Sequence, residues 1–467
     1  MVYIGAGSAD ITPEVGLTTL SGFTVRNNRP TSGIHSRLTV QVLAFKVGEE
    51  FSLLFSYELM GIGSALEEII FQALEAELGE AFDRSRCVLT ATHTHSAPPA
   101  VNFAGQEDLN ASYLARVGRQ SADAARQAVD QLTECSLWMA QMEVPGLTYN
   151  RRSVLADGRV SIKLDPGEPV IERGPLDVML TLLVWRNSAG ENLAAVAHYP
   201  VHGVSVLTQS ISGDIPGAIQ RGYQERLRAP CLFLQGATGD INPIITRTDG
   251  GEKFTAWMNE FFAKAEGLEG QLQPVPDETF GLQQSEVVLD YTQLPSAAFL
   301  ENRIRLFQKV ADGDFTSNEV GEIIPAIREL SGKNPGEPIE PVSAKQTAKL
   351  LADCDQSVLG KIKAKESLAA PPLKVACWRM GTVVFAFASV EVFAITGQRI
   401  RALSESLTML PVSFSSRMMG YLPDDDAMDK GGYEADYSWR LYLHPAPFAK
   451  GAEERVIQEI ESNLKPL

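Results

Sequence analysis

The sequence predicts an α/β fold, in which a mixed sheet is flanked by helices and carries a helical insertion. Strand-like and helix-like runs alternate along the first half of the 467 residues, and such alternation is typical of mixed α/β domains. Residues 297–368 are charged, largely helical in pattern and poor in strand signals, and they form the predicted insertion or subdomain. Neither an internal repeat nor a low-complexity linker marks a boundary, so we expect residues 1–467 to form a single domain.

Each predicted element follows from its local pattern. Apolar runs bounded by turn residues predict strands, whereas apolar residues three and four apart predict helices. Gly79 ends the first predicted helix, and the turn 187–190 joins two strands into a pair. In chain order, the predicted strands are 38–47, 51–57, 86–92, 178–185, 193–198, 231–235, 283–291, 374–380 and 383–388. The predicted helices are 64–78, 110–132, 215–227, 254–266 and 391–404.

Charge and composition exclude several classes of function. The chain has 41 basic and 58 acidic residues and a net charge of −17, which argues against nucleic acid or an anionic membrane as its main partner. No apolar run approaches the roughly 20 residues that span a bilayer, and the N-terminus lacks the basic and apolar regions of a signal peptide. The five cysteines are widely spaced, which is typical of reduced thiols. We therefore expect a cytoplasmic protein that acts on a small-molecule substrate, with homo-oligomer formation left open.

Histidine is scarce, and four of the six histidines stand in two pairs, His93-Thr-His95 and His198-x-x-x-His202. Neutral imidazole is the commonest protein ligand for zinc. Because side chains alternate along a strand, His93 and His95 are expected to point to the same side of a strand end. The alternative is a pair of hydrogen-bonded core histidines. In the second pair Pro200 rules out a regular helix, so His202 is the better ligand candidate.

Two further segments place polar residues at the ends of elements. The stretch 235–243, Gln-Gly-Ala-Thr-Gly-Asp-Ile-Asn-Pro, follows a short buried strand, which is where α/β proteins place their sites; the alternative is an ordinary turn. Glu391 lies where a strand meets a helix, and the alternative there is a favourable interaction with the helix dipole. Gly5-Ala-Gly7 lacks the rest of a dinucleotide-binding loop, so we assign it to a turn.

Together these motifs resemble the neutral (alkaline, non-lysosomal) ceramidases. The matching motifs, in chain order, are His93-Thr-His95-Ser, His202-Gly, Gly239-Asp-Ile-Asn-Pro243, Glu391 with Gly397 and Arg399, Gly420-Tyr421 and Gly432-Tyr433-Glu434. The sequence is also similar at Ser8-Ala-Asp-Ile-Thr-Pro13, Gly33-Ile-His-Ser-Arg37 and Tyr149-Asn-Arg151. The resemblance runs across nearly the whole chain and implies a ceramidase-like zinc hydrolase domain.

The resemblance also implies roles for individual residues. It implies one catalytic zinc ion per chain, held by four ligands. These ligands would be His93, His202, Glu391 and Tyr421, the last placed by its spacing from the later tyrosine. His95 would face the substrate carbonyl, Arg151 resembles the family's substrate-side arginine, and Tyr433 resembles the tyrosine of its Tyr-Glu motif. The resemblance implies a catalytic role for all three. By the same likeness His35 and Arg37 are candidate substrate-binding residues.

The sequence departs from the family pattern in two places. The ceramidases carry a serine, proposed as nucleophile, where this chain has Asn242, and an amide cannot attack a carbonyl. We therefore expect attack by zinc-bound water, with Asp240 as the nearest carboxylate that could accept its proton and Asn242 as an orienting or oxyanion donor. The chain also ends soon after the Tyr-Glu motif, so we expect no C-terminal immunoglobulin-like domain.

These considerations predict a zinc-dependent hydrolase that cleaves a C–N amide or lactam bond of a small soluble substrate without a serine nucleophile. One alternative keeps the zinc and changes the bond, giving an esterase, a lactonase or a deaminase. Another alternative is a non-catalytic binding protein built on the same fold, for which the asparagine at position 242 is the only support.

Overall fold

A computed structural model describes residues 1–23, 26, 28–105, 109–276, 279–331, 333 and 338–467. The strands in these ranges are β1 (Val2–Asp10), β2 (Gly33–Ile34), β3 (Thr39–Val47), β4 (Glu50–Tyr57), β5 (Cys87–Ala91), β6 (Thr133–Glu143), β7 (Thr148–Asn150), β8 (Ser153–Leu155), β9 (Val160–Ser161), β10 (Val170–Arg173), β11 (Met179–Arg186), β12 (Asn192–Tyr199), β13 (Ser210–Ile211), β14 (Cys231–Gln235), β15 (Ile241–Pro243), β16 (Gln273–Pro274), β17 (Phe280–Val287), β18 (Leu373–Met380), β19 (Val383–Ala388), β20 (Glu391–Val392), β21 (Thr408–Val412) and β22 (Tyr421–Leu422). The α-helices are α1 (Ser64–Leu78), α2 (Ala111–Asp130), α3 (Asp214–Leu227), α4 (Glu252–Lys264), α5 (Ala297–Asp312), α6 (Ile324–Leu330), α7 (Pro341–Ala364), α8 (Ala394–Arg401), α9 (Asp425–Lys430), α10 (Ser438–Leu441) and α11 (Ala452–Leu464).

Two mixed sheets form the centre of the fold. The larger sheet has the strand order β14-β12-β11-β6-β1-β3-β4-β5, with β16 added on β6. Its neighbours are mainly antiparallel, but β4 and β5 are parallel, as are β12 and β14. The smaller sheet has the order β17-β18-β19-β21, and its last two strands are parallel. The predicted mixed sheet flanked by helices is confirmed.

The two sheets pack face to face because their strands alternate apolar side chains between two layers. Along β3, Leu43 and Phe45 point into the layer between the sheets, where they join Trp378 and Phe385 of the smaller sheet. The Phe45 and Trp378 rings lie 5.2 Å apart between centroids. Val42, on the opposite face of β3, packs beneath α1 and α2. Helices α3 and α4 cover the other half of the larger sheet, and α8 and α11 cover the smaller sheet.

Strand β1 shows that the assignment of Gly5-Ala-Gly7 to a turn is wrong, since both glycines lie inside this central strand. Helix α2 crosses the strand so closely that a Cβ atom on Gly7 would lie 2.0 Å from the carbonyl oxygen of Ala124. A Cβ atom on Gly5 would lie 1.9 Å from the carbonyl oxygen of Ala128. The two glycines therefore permit a close helix–strand contact.

The region around Glu391 also differs from its prediction. Glu391 and Val392 form β20, and α8 begins only at Ala394. Glu391 is therefore a strand residue and does not lie in the first turn of the predicted helix 391–404. Strand β6 and helix α11 were not predicted at all.

The predicted helical insertion contains α5, α6 and α7, and these helices share an apolar cluster that includes Phe307 and Leu351. Residues 332 and 334–337 of the insertion lie outside the described residues. The assignment of the whole chain to one domain stays a prediction.

The structure also describes the state of the cysteines and the length of the helices. All five cysteines are unpaired thiols, and Cys87 and Cys231 are buried in strands, as predicted. Among the described helices, none is both long enough and apolar enough to cross a bilayer.

We expect Gly7→Ala to lower the free energy of unfolding by about 1–3 kcal/mol, because the added methyl group must displace the backbone of α2. The midpoint of urea unfolding measures this change. Gly360→Ala is the matched control, because nothing lies within 4 Å of a Cβ atom at that position of α7. The control is expected to be neutral, or more stable by about 0.5–1 kcal/mol. Equal midpoints for the two variants would contradict this account of β1.

Candidate metal centre

Four of the predicted site residues follow strands that pair in parallel, at one end of the sheets. His93 follows β5, His202 follows β12, Asp240 follows β14 and Glu391 follows β19. An isolated bridge between residues 94 and 203 joins the first two segments. The crossovers of the larger sheet thus bring together side chains that are far apart in sequence.

His93 and His95 converge, but side-chain alternation along a strand is not the reason. Strand β5 ends at Ala91, and His93 has a left-handed backbone with φ of 62°. Strand alternation therefore does not place His93 and His95 on one side. Phe414, which also has a left-handed φ of 61°, stacks on the His93 ring at 3.9 Å between centroids. Non-glycine residues in this conformation cluster at functional sites.

His202 joins the imidazole cluster, and His198 lies outside it. A Cβ atom on Gly203 would lie 2.6 Å from the carbonyl oxygen of His93, so the glycine permits the close approach of the two segments. His198 lies elsewhere in the core, with its Nε2 atom 2.8 Å from the carbonyl oxygen of Pro411.

The imidazoles of His93 and His202 face each other through unprotonated nitrogen atoms. The Nδ1 atom of His93 donates to the carbonyl oxygen of Met60 at 2.6 Å, and that of His202 donates to the carbonyl oxygen of Thr238 at 3.1 Å. The neutral rings therefore carry lone pairs on their Nε2 atoms. These two Nε2 atoms are 3.0 Å apart, and His95 brings a third Nε2 atom to 3.2 Å from that of His93.

This arrangement fits a metal ion. Two lone pairs cannot hydrogen-bond to each other, so a cation between or beside them stabilises the pair. Burial lowers the pKa of His93 to about 3 and also holds the pKa of His202 well below its ordinary value, so protons do not fill this role at neutral pH. His93, His95 and His202 together form a group that can hold a metal ion, with ligand atoms within 4.8 Å of one another.

Glu391 adds a carboxylate oxygen to the imidazole group. Its Oε1 atom accepts a hydrogen bond from the Tyr442 hydroxyl. Its Oε2 atom lies 3.5 Å from Nε2 of His93 and, although buried, accepts no hydrogen bond from the described residues. Burial raises the pKa of Glu391 to about 8, against the opposing effect of the Tyr442 hydrogen bond. A buried oxygen atom without a partner, aimed at an imidazole lone pair, is what a shared metal ion would satisfy.

Tyr421 lies beside Glu391 because β20 and β22 pair in parallel with these two residues as register partners. The Tyr421 hydroxyl oxygen accepts a hydrogen bond of 2.9 Å from Nη2 of Arg151. Burial raises the pKa of Tyr421 well above its ordinary value, and Arg151 opposes that effect. The position agrees with the predicted ligand, and the ligand role itself stays a prediction.

Arg151 connects the metal-binding side of the site to the segment 421–434. Its Nε atom donates to Oε1 of Glu434 at 2.8 Å, and its Nη1 atom donates to Oδ1 of Asn242 at 3.3 Å. The guanidinium also lies over the rings of Tyr421 and Tyr433. The guanidinium of Arg151 thus donates to Glu434, Asn242 and Tyr421. The predicted residues Arg151, Asn242, Tyr421 and Tyr433 are brought together.

Comparisons with known proteins agree with this geometry. Residues 2–232 match the family model described as neutral/alkaline non-lysosomal ceramidase, N-terminal. The chain belongs to this ceramidase family. It is 25% identical over 317 residues to the neutral ceramidase of Pseudomonas aeruginosa, which covers 62% of this chain and 45% of the relative. It is 26% identical over 268 residues to the neutral ceramidase of Mycobacterium tuberculosis, which covers 52% of this chain and 41% of the relative.

The solved structures of ceramidases share the fold of this family member. The crystal structure of the Pseudomonas aeruginosa neutral ceramidase aligns with a TM-score of 0.68 and 18% identity, over 100% of this chain and 75% of that one. A structure of a ceramidase complexed with C2 aligns with a TM-score of 0.70 at 18% identity and the same coverage. The sequence matches span less than half the length of the two curated relatives.

His95 differs from the other two imidazoles of the ceramidase-like site. Its Nδ1 atom is buried without a hydrogen-bond partner among the described residues, whereas ligand histidines ordinarily donate that outer N–H to a fixed acceptor. A Cβ atom on Gly22 would lie 2.2 Å from this nitrogen, so the segment around Gly22 packs directly on the ring. The contrast agrees with unequal roles for His93 and His95, which stay a prediction.

Asp240 ties three segments of the site together. Its Oδ1 atom accepts the backbone N–H of Ala394 at 2.8 Å, and its Oδ2 atom accepts Nδ2 of Asn150 at 2.6 Å. Burial raises its pKa to about 6 despite these hydrogen bonds. Both oxygen atoms are engaged, so the geometry gives Asp240 a bracing position, and its role as a proton acceptor stays a prediction.

His35 and Arg37 have their contacts outside the imidazole cluster. His35 has its Nδ1 atom 3.0 Å from Oγ of Ser212 and its Nε2 atom 3.0 Å from the carbonyl oxygen of Gly250. Arg37 forms an exposed ion pair of 2.6 Å with Asp10. Their proposed role in substrate binding is untested.

Three residues of the ceramidase-family site were not predicted as functional. They are Phe414, Glu434 and Tyr442. Glu434 belongs to a motif that carried the resemblance, and its position beside a site tyrosine could have indicated it. Nothing in the sequence near Tyr442 or Phe414 distinguishes these aromatic residues from ordinary core residues.

We expect Tyr442→Phe to weaken metal binding by about 10- to 100-fold, because Glu391 loses the hydrogen bond that orients its carboxylate. Competition with a chelator, with Zn²⁺ as the probe ion, measures this change. Tyr223→Phe is the matched control, since the Tyr223 hydroxyl is buried and has no hydrogen-bond partner among the described residues. Equal Zn²⁺ affinities for the two variants would show that the tyrosine does not position the carboxylate.

Proposed function

We propose that this protein is a zinc-dependent hydrolase that cleaves a C–N amide or lactam bond in a small substrate. The observation that carries the proposal is the convergence of the His93 and His202 lone pairs with the open Oε2 atom of Glu391. Two imidazoles and one carboxylate are a donor set of catalytic zinc sites, which keep one position for water or substrate. Membership of the ceramidase family supports hydrolysis of an amide bond.

The donor set favours zinc among the common divalent ions. Imidazole nitrogen is a good ligand for zinc, whereas magnesium and calcium prefer oxygen ligands. His93, His202 and Glu391 would hold the ion, with Tyr421 as the fourth ligand. When bound, zinc supplies a Lewis acid that polarises a carbonyl group and lowers the pKa of water.

The protein residues would then bind and orient the substrate. Arg151 donates to Oδ1 of Asn242, so the donor that remains on this side chain is its Nδ2 amide group. That group would stabilise negative charge that develops on the carbonyl oxygen. An amide is not a nucleophile, so water is the attacking group and no acyl-enzyme forms at residue 242.

The neutral ring of His95 would lie on the substrate side, because no outer acceptor fixes it as it does the rings of His93 and His202. Its position 3.2 Å from Nε2 of His93 would bring it close to a carbonyl oxygen held at the metal. Arg151 acts through its neighbours, because its guanidinium already donates to Glu434, Asn242 and Tyr421. We therefore propose His95 as a catalytic residue and Arg151 as a positioning residue.

We expect the purified protein to contain about one zinc ion per chain, and His93→Ala to lose it, because the variant removes the central imidazole of the group. Elemental analysis measures the zinc content, and circular dichroism checks that the variant is folded. His35→Gln is the control, since this exposed imidazole has its contacts outside the cluster. Zinc retained at full occupancy by His93→Ala, or absent from the wild-type protein after reconstitution, would overturn the metal assignment.

We expect the zinc-loaded protein to hydrolyse members of a panel of short N-acyl amides and lactams, and to do so faster than matched esters relative to their uncatalysed rates. On the best substrate, Asn242→Ala should lower kcat by about 100- to 1000-fold, because one donor to the developing oxyanion is lost. The zinc content of the variant should stay unchanged. Turnover confined to the esters, or an Asn242→Ala variant with wild-type kcat, would contradict the proposed reaction.

A further inference from the structure

Phe23 links the imidazole cluster to a second cationic side chain. The Phe23 ring lies 5.0 Å from the His95 ring between centroids. The guanidinium carbon of Arg247 lies 5.6 Å from the centroid of the same Phe23 ring. The phenol groups of Tyr433 and Tyr149 and the guanidinium of Arg151 act on Arg247 electrostatically. Arg247 therefore lies beside the site residues that the proposed function assigns to the substrate side.

The backbone of Arg247 is fixed to the segment that carries His202. Its N–H donates to the carbonyl oxygen of Val204 at 2.9 Å, and its φ of 55° is left-handed. The next residue, Thr248, donates its N–H to the carbonyl oxygen of Ser205 at 2.6 Å. A non-glycine residue held in this conformation by two such contacts has a fixed Cα–Cβ direction relative to the metal-binding segment.

Arg247 differs from the other arginines of the site in having no acceptor. Arg26 donates to the carbonyl oxygens of Thr208 and Val206 and to further acceptors around the imidazole cluster. Arg151 donates to three side chains. Among the described residues, the guanidinium of Arg247 has no ion pair and no hydrogen bond, and its contact is the Phe23 ring. Its donors therefore have no acceptor among the residues that the structure describes, and a ligand anion can bind them.

The surroundings of Arg247 make its lack of an acceptor among the described residues informative. The side chain is exposed to solvent, yet burial lowers its pKa, with the Tyr433 and Tyr149 phenols opposing that effect. The guanidinium is thus accessible to solvent and also contacts the Phe23 ring. The chain has 58 acidic residues against 41 basic residues, so acidic partners are abundant, and none of the described ones reaches this cation. A ligand anion would complete the ion pair.

The charge of Arg247 and the number of its hydrogen-bond donors indicate which kind of anion it can bind. One free guanidinium forms a bidentate pair with one carboxylate. A phosphate dianion would call for a second free cation, and the donors of the neighbouring Arg151 already have acceptors. The net charge of −17 also disfavours a dianion more than a monoanion.

We propose that Arg247 binds a carboxylate carried by the substrate, and that the substrate class is amides that also carry a carboxylate, such as N-acyl amino acids. This inference rests on the proposed function, because it assigns the specificity of the same site. Arg247 would bind the charged group while the scissile amide lies at the metal.

The test compares two substrates that differ in charge, N-hexanoylglycine and the neutral N-hexanoylethanolamine, on the purified, zinc-loaded full chain. Arg247→Gln should raise KM for N-hexanoylglycine by about 10- to 100-fold, because a charged hydrogen-bonded pair is lost. The value for the neutral amide should stay within about threefold, since no such pair is involved. Arg247→Lys should restore part of the affinity, because it keeps the charge without the bidentate geometry.

Arg226→Gln is the matched control. The Arg226 guanidinium also lies over a phenylalanine ring, that of Phe262 at 4.8 Å, but it pairs with Glu269 on the surface of α3. This variant changes the net charge by the same amount and should leave both substrates unaffected. Equal effects of Arg247→Gln on the two substrates, or no effect on either, would overturn the proposal.

A binding measurement separates this proposal from the proposed function. Calorimetry of N-hexanoylglycine with the wild-type protein and with Arg247→Gln does not depend on turnover. If neither amide is hydrolysed but the wild-type protein alone binds the carboxylate, the hydrolase assignment fails and the Arg247 assignment stands. If the wild-type protein does not distinguish the charged from the neutral compound, or if inorganic phosphate binds more tightly than acetate, the Arg247 assignment fails.

Discussion

The interior of this protein holds two imidazole lone pairs 3.0 Å apart, and the rest of the site is arranged around that contact. Backbone carbonyl oxygens accept the outer N–H groups of His93 and His202, so neither ring can turn its proton toward the other. In a buried environment the repulsion between the lone pairs is poorly screened. A metal ion bound beside the two rings would remove this repulsion, and the carboxylate of Glu391 would supply charge that balances it.

The fold supports this contact at the cost of local backbone strain. His93 and Phe414 both have left-handed backbones and stack on each other, and each such residue costs on the order of 1–3 kcal/mol. Gly203 removes the Cβ atom that would separate the two histidine segments. The strain lies where strands end, beyond the regular hydrogen bonding of the two sheets, so the packed core between the sheets is not disturbed.

The sequence predicted those parts of the structure that local patterns determine. The bounds of α1, β14 and β19 agree with their apolar runs, and the ligand candidates His93 and His202 lie in short motifs with characteristic neighbours. The contact between Tyr442 and Glu391 joins residues 51 positions apart, and no local pattern encodes it. Gly5 and Gly7 were assigned to a turn because the rest of a dinucleotide-binding loop is missing, but glycine also occurs inside a strand where another element crosses closely. The sequence could not distinguish these cases without the position of α2.

The buried carboxylates of the site show how hydrogen bonding separates structural from chemical roles. Both oxygen atoms of Glu434 accept from arginines, Arg151 at 2.8 Å and Arg152 at 2.7 Å, and these cations outweigh burial and hold its pKa below the ordinary value. Each carboxylate oxygen of Asp240 likewise accepts a hydrogen bond, one from the Ala394 N–H and one from Nδ2 of Asn150. Glu391 has one oxygen engaged by a tyrosine and one without a partner.

A buried carboxylate oxygen without a partner is unfavourable, and burial accordingly raises the pKa of Glu391 to about 8. A metal ion beside this oxygen would stabilise its anionic form. Glu434 and Asp240 complete their hydrogen bonds within the chain and stabilise the arrangement of the loops. Glu391 would complete its own if a metal ion were bound beside His93.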